Sequence, residues 1–364
     1  MSGIIEVIAR QIRRQGPLSL AAFMAIALHD PERGYYARHA PVGRAGDFVT
    51  APEISQIFGE LIGLWCADLW QRMGRPAPLV VAELGPGRGT LMADFLRAAA
   101  SVAGFRDALS LYLVEVSPVL RAEQQRRLAA AAPIFVAGID ALPSGPLLLV
   151  ANEFLDALPV RQLVRGRSDW AERLVALDER GRLAFADGKE NPALSLLVPP
   201  ELRDSPPGTL FEICPAAAAL AASLGARLRE QPGAALFVDY GHSRSRAGPT
   251  LAAIRRHRPE GVLDNPGEAD LSAHVDFAAV AASAAGGGAA VYGPVTQGDF
   301  LRTLGAEARL AALLRQARPE QRAALASGLA RLIDPDQMGK LFKVLALTSP
   351  GLPAPAGFAQ PTEP

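Results

Sequence analysis

Residues 79–98 read LVVAELGPGRGTLMADFLRA, and the character of the chain changes twice within this range. The first six residues are apolar and β-prone except for Glu83, which suits a buried strand. Glycines follow at alternate positions, Gly85, Gly87 and Gly89, and then comes an apolar pattern typical of one helix face. Glycines let the backbone turn tightly and approach a ligand, and a helix start offers free N–H groups to an anion. Strand, glycine turn and helix predict the first unit of a dinucleotide-type α/β fold.

A second acid follows the next predicted strand, residues 109–114 (LSLYLV). In this fold, a carboxylate at the tip of the second strand accepts hydrogen bonds from a ribose, and Glu115 stands at that position. An exposed strand-end charge is the alternative for Glu115, as a turn without a ligand is for the glycines. The G-x-G-x-G spacing differs from the G-x-G-x-x-G of nicotinamide enzymes, and no Gly-Lys-Ser/Thr marks a phosphate loop. The pattern therefore disfavours a nicotinamide reductase.

Composition restricts the classes of partner. Lysine plus arginine equals aspartate plus glutamate at 37 each, so no global field draws the protein to nucleic acid or an anionic membrane. Cys66 and Cys214 are too few for a disulfide framework or a cysteine zinc site, and no histidine pair has metal-ligand spacing on a helix. No apolar run reaches the length of a membrane span. We expect a cytoplasmic protein with no metal, no nucleic-acid partner and no membrane partner.

Along the chain, residues 1–78 read as a helical segment that packs beside the ligand site. From residue 79, strands and helices alternate, which predicts a mostly parallel sheet in a core that spans 79–349. An insertion at about 160–233, between the fourth and fifth predicted strands, contains short strands and an alanine-rich helix at 215–230. The proline-rich tail, 350–364, is predicted to be disordered.

Several motifs occur together in this order: HDPERGYY (29–36), GDFVTAPEISQIFGE (46–60), ELGPGRGTLMADFLR (83–97), NEFLDALPVRQ (152–162), FVDYGH (237–242), NPGEADLSAHVDF (265–277) and MGKLF (338–342). They closely resemble the MidA-like family of methyltransferases that depend on S-adenosyl-L-methionine (SAM), from about residue 4 to 347. The resemblance implies a class I methyltransferase, Rossmann-like α/β fold with SAM as cofactor. Mitochondrial members are complex I assembly factors that dimethylate a protein arginine symmetrically. It thus implies a protein partner that carries the arginine acceptor, with a respiratory complex I subunit as one candidate.

The resemblance places SAM at the acid-glycine motif and at the second-strand acid. Asn152 could orient substrate or the methionine end of SAM through its amide. Asp47 and Thr50 lie in a glycine-bearing loop that could close over SAM, although capping of the following helix is the alternative. The predicted cofactor-binding residues are Glu83, Gly85, Gly87, Gly89, Glu115, Asn152, Asp47 and Thr50.

Carboxylates are the side chains that arginine methylation needs, because they can hold the planar guanidinium in two hydrogen bonds and take up the released proton. The tip of the fourth strand lies beside the point where such sheets bind ligands. There Glu153 is our first candidate for this clamp and Asp156 the second, and Glu53 is a third. Asp156 could instead cap a turn, and Glu53 could simply favour the start of a helix.

Two other functions are compatible with these motifs. The protein could methylate a small molecule with SAM, or it could be an assembly chaperone that binds SAM and a partner without turnover. The number of methyl groups transferred and the oligomeric state do not follow from the sequence.

Overall fold

The computed structural model describes residues 3–38 and 49–358. The helices are α1 (Gly3–Gln15), α2 (Leu20–His29), α3 (Tyr35–Arg38), α4 (Ala51–Ile54), α5 (Gln56–Arg72), α6 (Thr90–Ala99), α7 (Phe105–Ala108), α8 (Pro118–Arg127), α9 (Pro192–Ser195), α10 (Pro215–Glu230), α11 (Phe277–Gly287), α12 (Gln297–Thr303), α13 (Ala306–Gln316) and α14 (Pro319–Ile333). The strands are β1 (Leu18–Ser19), β2 (Leu79–Leu84), β3 (Leu109–Val114), β4 (Ile134–Val136), β5 (Leu147–Asn152), β6 (Arg161–Arg165), β7 (Trp170–Leu177), β8 (Leu183–Asp187), β9 (Leu210–Ile213), β10 (Gly233–His242), β11 (Ala252–Arg255), β12 (Arg258–Glu260), β13 (Asp270–Ser272), β14 (Val275–Asp276), β15 (Ala290–Thr296) and β16 (Phe342–Thr348). No helix in this part of the chain has both the length and the apolar character needed to cross a membrane.

The central sheet contains the strands that alternate with helices in the sequence. Its order is β15-β16-β10-β5-β2-β3-β4, and β14 pairs with the end of β10. β16 runs antiparallel to both of its neighbours, whereas the other pairs are parallel. The chain goes outward from β2 to β3 and β4 and then returns to β5 on the other side of β2. The ends of β2 and β5 therefore flank the switch point, where open α/β sheets bind ligands.

Helices cover both faces of the central sheet, as a largely parallel sheet requires. α5 and α6 pack together on one face, which also carries α12, α13 and α14. α10 and α11 pack together on the other face. Because α10 leads into β10 and α11 leads into β15, both helices begin at the sheet edge where β5 ends. That edge is also the one that carries the glycine turn.

Between β5 and β10 the chain forms an antiparallel sheet, which we call the inserted sheet. It contains β6, β7, β8 and β9, with β1 of the N-terminal segment at one edge. The predicted insertion at about 160–233 also includes the helix α10. In the structure α10 packs on α11 in the core, so the inserted sheet itself ends at Ile213.

The first two helices contact the inserted sheet. Leu18 of β1 pairs with Val175 of β7. Ile8 of α1 and Phe23 of α2 share a buried cluster with Val175 and with Leu271 of β13. The sequence predicts that the N-terminal segment packs beside the ligand site, and in the described part of that segment α4 borders the glycine turn, where Thr90 donates to Glu53. The apolar face of α1 therefore packs against the inserted sheet.

Residues 350–358 pack on the core, which differs from the disorder predicted from residue 350 onward. Trp65 Nε1 donates a hydrogen bond to the carbonyl oxygen of Ala356 at 2.9 Å. The ring of Phe358 lies 5.4 Å from the ring of Phe300, centroid to centroid. Proline-rich composition excludes helix and strand here, but contacts of individual side chains with the core fix the segment without either. The rest of the predicted tail, 359–364, lies outside the described residues.

The packing of this segment is testable by Phe358→Ala. Loss of a half-buried ring that contacts Phe300 should lower the free energy of unfolding by about 1–3 kcal/mol. Urea unfolding followed by circular dichroism measures the change. Phe185→Ala is the control, because Phe185 is an exposed residue on the inserted sheet and should cost less. An unchanged unfolding midpoint for Phe358→Ala would mean that the segment does not contribute to the folded state.

Candidate active site

The glycine turn between β2 and α6 has a left-handed backbone at each glycine. The φ angle is 60° at Gly85, 53° at Gly87 and 75° at Gly89, a region that other residues adopt only at a cost. The Gly85 N–H donates to the carbonyl oxygen of Val114 at 3.1 Å, which ties the turn to the end of β3. Gly89 directly precedes α6, so the free N–H groups at the start of α6 lie beside the glycine turn.

A small pocket lies against this turn. It is bounded by the turn, by α4 and by the end of β5. The predicted site residues in its lining are Thr50, Glu53, Glu83, Gly85, Gly87, Asn152 and Glu153. Gly89, Glu115 and Asp156 are outside this lining, and Asp47 is outside the described residues. The structure therefore brings the acid-glycine motif, the start of α4 and the tip of β5 together.

Glu83 ends β2 beneath the turn and is 3% exposed. Burial, and secondarily the charge of Glu115, raises the pKa of Glu83 to about 8. Its Oε2 atom is buried and has no hydrogen-bond partner among the residues of the described ranges. A buried acid without a donor is unfavourable in the free protein. A ligand that brings a donor or a positive charge to this point would remove that cost.

Glu115 follows β3, as predicted, and each of its carboxylate oxygens has a donor. Oε1 accepts from the backbone N–H of Ser117 at 2.8 Å, and Oε2 accepts from Nε2 of Gln124 at 3.1 Å. Burial raises the pKa of Glu115, against the effect of these two hydrogen bonds, which favour the charged form. The donors fix the orientation of the carboxylate at the strand tip, and its oxygens keep lone pairs that can accept from a ligand.

Gln124, on α8, is a residue that the sequence analysis missed. Its side chain is fully buried, and Nε2 donates to two acceptors, Oε2 of Glu115 and the carbonyl oxygen of Gly87 at 2.7 Å. One amide therefore connects the glycine turn to the second-strand acid. A glutamine in a helix gives no sequence signal for such a link, because the contact depends on how α8 packs against the turn.

At the tip of β5, Glu153 has a left-handed backbone, with φ of 49°. Its Oε1 atom accepts from the backbone N–H of Ala51 at 2.9 Å and from Nδ2 of Asn152 at 3.2 Å. Burial raises the pKa of Glu153 to about 7, and the neighbouring charge of Asp156 adds to the shift. The Ala51 contact joins β5 to the start of α4. Asn152 Oδ1 is buried without a partner among the described residues.

Asp156 lies on the far side of the same loop. Burial raises the pKa of Asp156 to about 6, although the hydroxyl of Tyr240 favours the charged form. Asp156 Oδ1 is buried with no partner in the described part of the chain. Asp239, in β10, accepts from the backbone of this loop, and burial followed by the charges of Asp156 and Glu153 raises its pKa well above the usual range. Three acids thus share one buried region, a group that the sequence shows only as separate motifs.

Glu53 belongs to a different set of contacts. Ser55 has an extended backbone that separates α4 from α5, and Glu53 lies in α4, the shorter of the two helices. Thr90 Oγ1 donates to Glu53 Oε1, and Arg88 Nη1 lies 3.7 Å from Oε2. Glu53 therefore connects α4 to the glycine turn and does not join the Asp156–Asp239 group. Thr50 precedes α4 without capping it through its side chain.

His242 ends β10, and its ring centroid is 6.5 Å from that of His274. Burial lowers the pKa of both histidines. Within residues 3–38 and 49–358, no cluster of three or more His, Cys, Asp or Glu side chains is arranged to hold a metal ion.

Comparison with known proteins identifies the family. A model of S-adenosyl-L-methionine-dependent methyltransferases matches residues 61–295. The mitochondrial protein arginine methyltransferase NDUFAF7 of Xenopus tropicalis is 36% identical over 382 residues, which covers 96% of this chain and 88% of that protein. The human protein of that name is 34% identical, and the alignment covers 93% of this chain and 81% of the human protein. This chain belongs to the MidA-like family of SAM-dependent methyltransferases.

A solved structure supports both the fold and the cofactor of this MidA-like protein. A COG1565 superfamily member from Burkholderia thailandensis, bound to S-adenosyl-homocysteine (SAH), has a TM-score of 0.84 to this chain at 30% identity. The superposition covers 97% of this chain and 93% of the Burkholderia chain. The predicted class I methyltransferase fold and the predicted SAM dependence are confirmed. The unpartnered atoms Glu83 Oε2 and Asn152 Oδ1 fit this cofactor, because its ammonium group is a donor that they lack.

Gly85→Val tests whether the turn holds the cofactor. A Cβ atom at Gly85 would lie 2.9 Å from Cδ2 of Phe154, and the left-handed φ adds strain of about 1–3 kcal/mol. We expect SAH affinity to fall at least about tenfold in calorimetry. Gly74→Val is the matched control, because Gly74 is also left-handed (φ 84°) and lies in open space away from the pocket. Equal SAH affinity in the two variants would exclude the turn as the binding site.

Gln124→Met tests the link between the turn and the second-strand acid. Methionine keeps the volume but removes the donor, so the orientation of Glu115 and Gly87 is no longer fixed and SAH should bind about tenfold more weakly. Gln297→Met is the control. Gln297 is also fully buried and donates one amide bond, to the Leu332 carbonyl oxygen, away from the pocket. If both variants lose thermal stability equally and neither loses SAH affinity, Gln124 is only a scaffold residue.

Proposed function

We propose that this protein is a protein-arginine N-methyltransferase. The observation that carries the proposal is the pair of acids Glu153 and Asp156 at the tip of β5, beside the cofactor pocket. Both are half-buried, both have a raised pKa, and neither forms an ion pair with a residue of the described ranges. An uncompensated charge away from water is costly, and a positive group placed against it reduces that cost. The name of the curated relatives supports a guanidinium as that group.

The acids would act on the acceptor in two ways. A guanidinium has a pKa of about 13 and a weakly nucleophilic nitrogen. Glu153 could hold two N–H groups of the planar fork and keep the positive charge away from the attacking nitrogen. SAM supplies the methyl group, whose bond to sulfur breaks as the bond to nitrogen forms, leaving SAH. The nitrogen then loses a proton, and a carboxylate with a pKa of about 7 is suited to accept it near neutral pH.

Alignment accounts for the rest of the catalysis. Well-oriented reactants can contribute roughly 7–11 kcal/mol to a barrier reduction. The Ala51 and Asn152 donors fix one oxygen of Glu153, and the backbone of the following loop is fixed by Asp239. Asp156 has an oxygen without a partner among the described residues and would contact the far side of the guanidinium. The first acceptor to test is a respiratory complex I subunit, which the resemblance in sequence implies.

Glu153→Gln tests the acid directly. The variant keeps the shape and removes the charge, so methyl transfer should fall about 10- to 100-fold in kcat and kcat/KM together, with SAH affinity within about threefold of wild type. Mass spectrometry of the acceptor and calorimetry with SAH measure the two effects. Glu172→Gln is the matched acid-to-amide control, because Glu172 pairs with Arg161 on the inserted sheet. In wild-type protein, kcat/KM should also decrease as pH falls below about 7, since Glu153 then becomes protonated before the acceptor binds.

Other outcomes identify other functions. Full activity in Glu153→Gln would exclude this clamp and turn attention to Asp156 and Glu53. Methylation found only on a small molecule or on a residue other than arginine would contradict the arginine assignment. SAH binding with no transfer to any acceptor would favour the assembly chaperone.

A further inference from the structure

A second cavity, of about 680 Å³, lies between the inserted sheet and the first turns of α10 and α11. We call it the insertion groove. Its lining is largely apolar, and its main apolar side chains are Leu196, Leu197, Phe211, Ile213 and Val280. The groove is well over the size of a single side chain and is open along one side. It is not part of the cofactor pocket.

The insertion groove lies at the catalytic edge of the central sheet. α10 and α11 both begin at the edge where β5 ends, and the groove is bounded by their first turns. Leu155, which lies between Glu153 and Asp156 in sequence, lines the groove. Ala273, another lining residue, donates its N–H to the carbonyl oxygen of Asp156 at 2.9 Å. The groove is therefore continuous with the loop that carries the two acids.

The acids of the groove are already used within the protein. Asp276 accepts from Ser245 Oγ at 2.6 Å and from the N–H of Ala279 at 3.1 Å. Glu212 accepts from Nε2 of Gln162 and from neighbouring backbone N–H groups. A small-molecule site needs convergent polar groups that orient its ligand. A groove whose acids are already bonded is better suited to the apolar side chains of a polypeptide.

Two adjacent leucines stand at the mouth of the groove. Leu196 is 73% exposed and Leu197 is 45% exposed, in the segment before β9. Contiguous exposed apolar residues on a soluble domain commonly mark an interaction surface. Arg203 lines the groove and donates through Nε to the carbonyl oxygen of Val198 at 3.0 Å, and neither Arg203 nor Arg246 forms an ion pair with a described residue. The surface therefore favours an apolar segment that carries an acid beside it.

We propose that the insertion groove binds an apolar segment of the acceptor protein, next to the residue that is methylated, with an acidic residue of that segment facing Arg203. This inference rests on the proposed function, because it requires a protein acceptor. It assigns the inserted sheet a role that the methyltransferase core does not perform. The core binds SAM and aligns the reacting nitrogen, whereas the groove selects the polypeptide that carries this nitrogen.

The test uses the double variant Leu196→Asp/Leu197→Asp of the full chain. Burial of a leucine corresponds to about a tenfold change in affinity. Tritiated methyl-SAM is incubated with the enzyme and a lysate that lacks the endogenous enzyme, and the initial rate of label incorporation into precipitated protein is measured. We expect at least a tenfold loss, with SAH affinity and thermal midpoint unchanged. Ile134→Asp is the control, because Ile134 is also exposed (45%) but lies at the start of the edge strand β4, away from the groove. This variant should incorporate label at the wild-type rate.

Each remaining outcome contradicts one proposal. Wild-type rates in the double variant would exclude the groove while leaving the proposed function intact. Label that wild-type enzyme transfers only to small molecules would contradict the protein acceptor itself, and the groove proposal would fall with it. If wild-type protein is a dimer on size exclusion and the double variant is a monomer with full labelling activity, the groove is an interface between two copies of this chain.

Discussion

Four backbone N–H groups converge on one buried carboxylate, that of Asp239. Oδ2 accepts from Phe154, Leu155 and Asp156 at 3.1, 2.9 and 3.2 Å, and Oδ1 accepts from Tyr240 at 2.9 Å. These hydrogen bonds fix the loop that follows β5 and so place the acids at its two ends. Without them, the left-handed Glu153 would have no reason to hold its conformation, because strain of this kind persists only where the surroundings impose it. The geometry of the acceptor side of the site depends on this carboxylate.

The cost of this arrangement is the crowding of like charges. Burial raises the pKa of Glu153, Asp156 and Asp239, and the charge of Asp156 raises the pKa of Glu153 and of Asp239 further. Glu83 and Glu115 form a second crowded pair on the cofactor side. A site built in this way is poorly satisfied when empty and gains most from ligands that bring donors or positive charge. Both reactants of the proposed reaction have this character, since one contains a sulfonium and an ammonium and the other a guanidinium.

The sequence predicts those parts of the structure that follow from local rules. Alternate glycines after an acid-ended strand fix the turn, and the alternation of strands and helices gives the sheet. Contacts made by packing have no such signal. In the sequence, Gln124 is an ordinary helix residue, and its role follows only from the packing of α8 against the turn. Glu53 likewise resembles an acid at a helix start, and its contacts with Thr90 and Arg88 are visible only in the structure. Residues 350–358 were expected to be disordered from composition, which says nothing about a partner such as Trp65.

The pairing of β1 with β7 has a consequence for how the protein is made. The apolar faces of α1 and α2 are completed by Val175 and Leu271, which leave the ribosome long after the helices do. At roughly 5–20 residues per second, the N-terminal helices are exposed for many seconds of synthesis before their partners exist. During that interval Ile4 and Ile8 present an aggregation-prone surface to the cell. The first thirty residues should therefore be a preferred binding site for chaperones on the nascent chain, and among the last parts of the fold to become native.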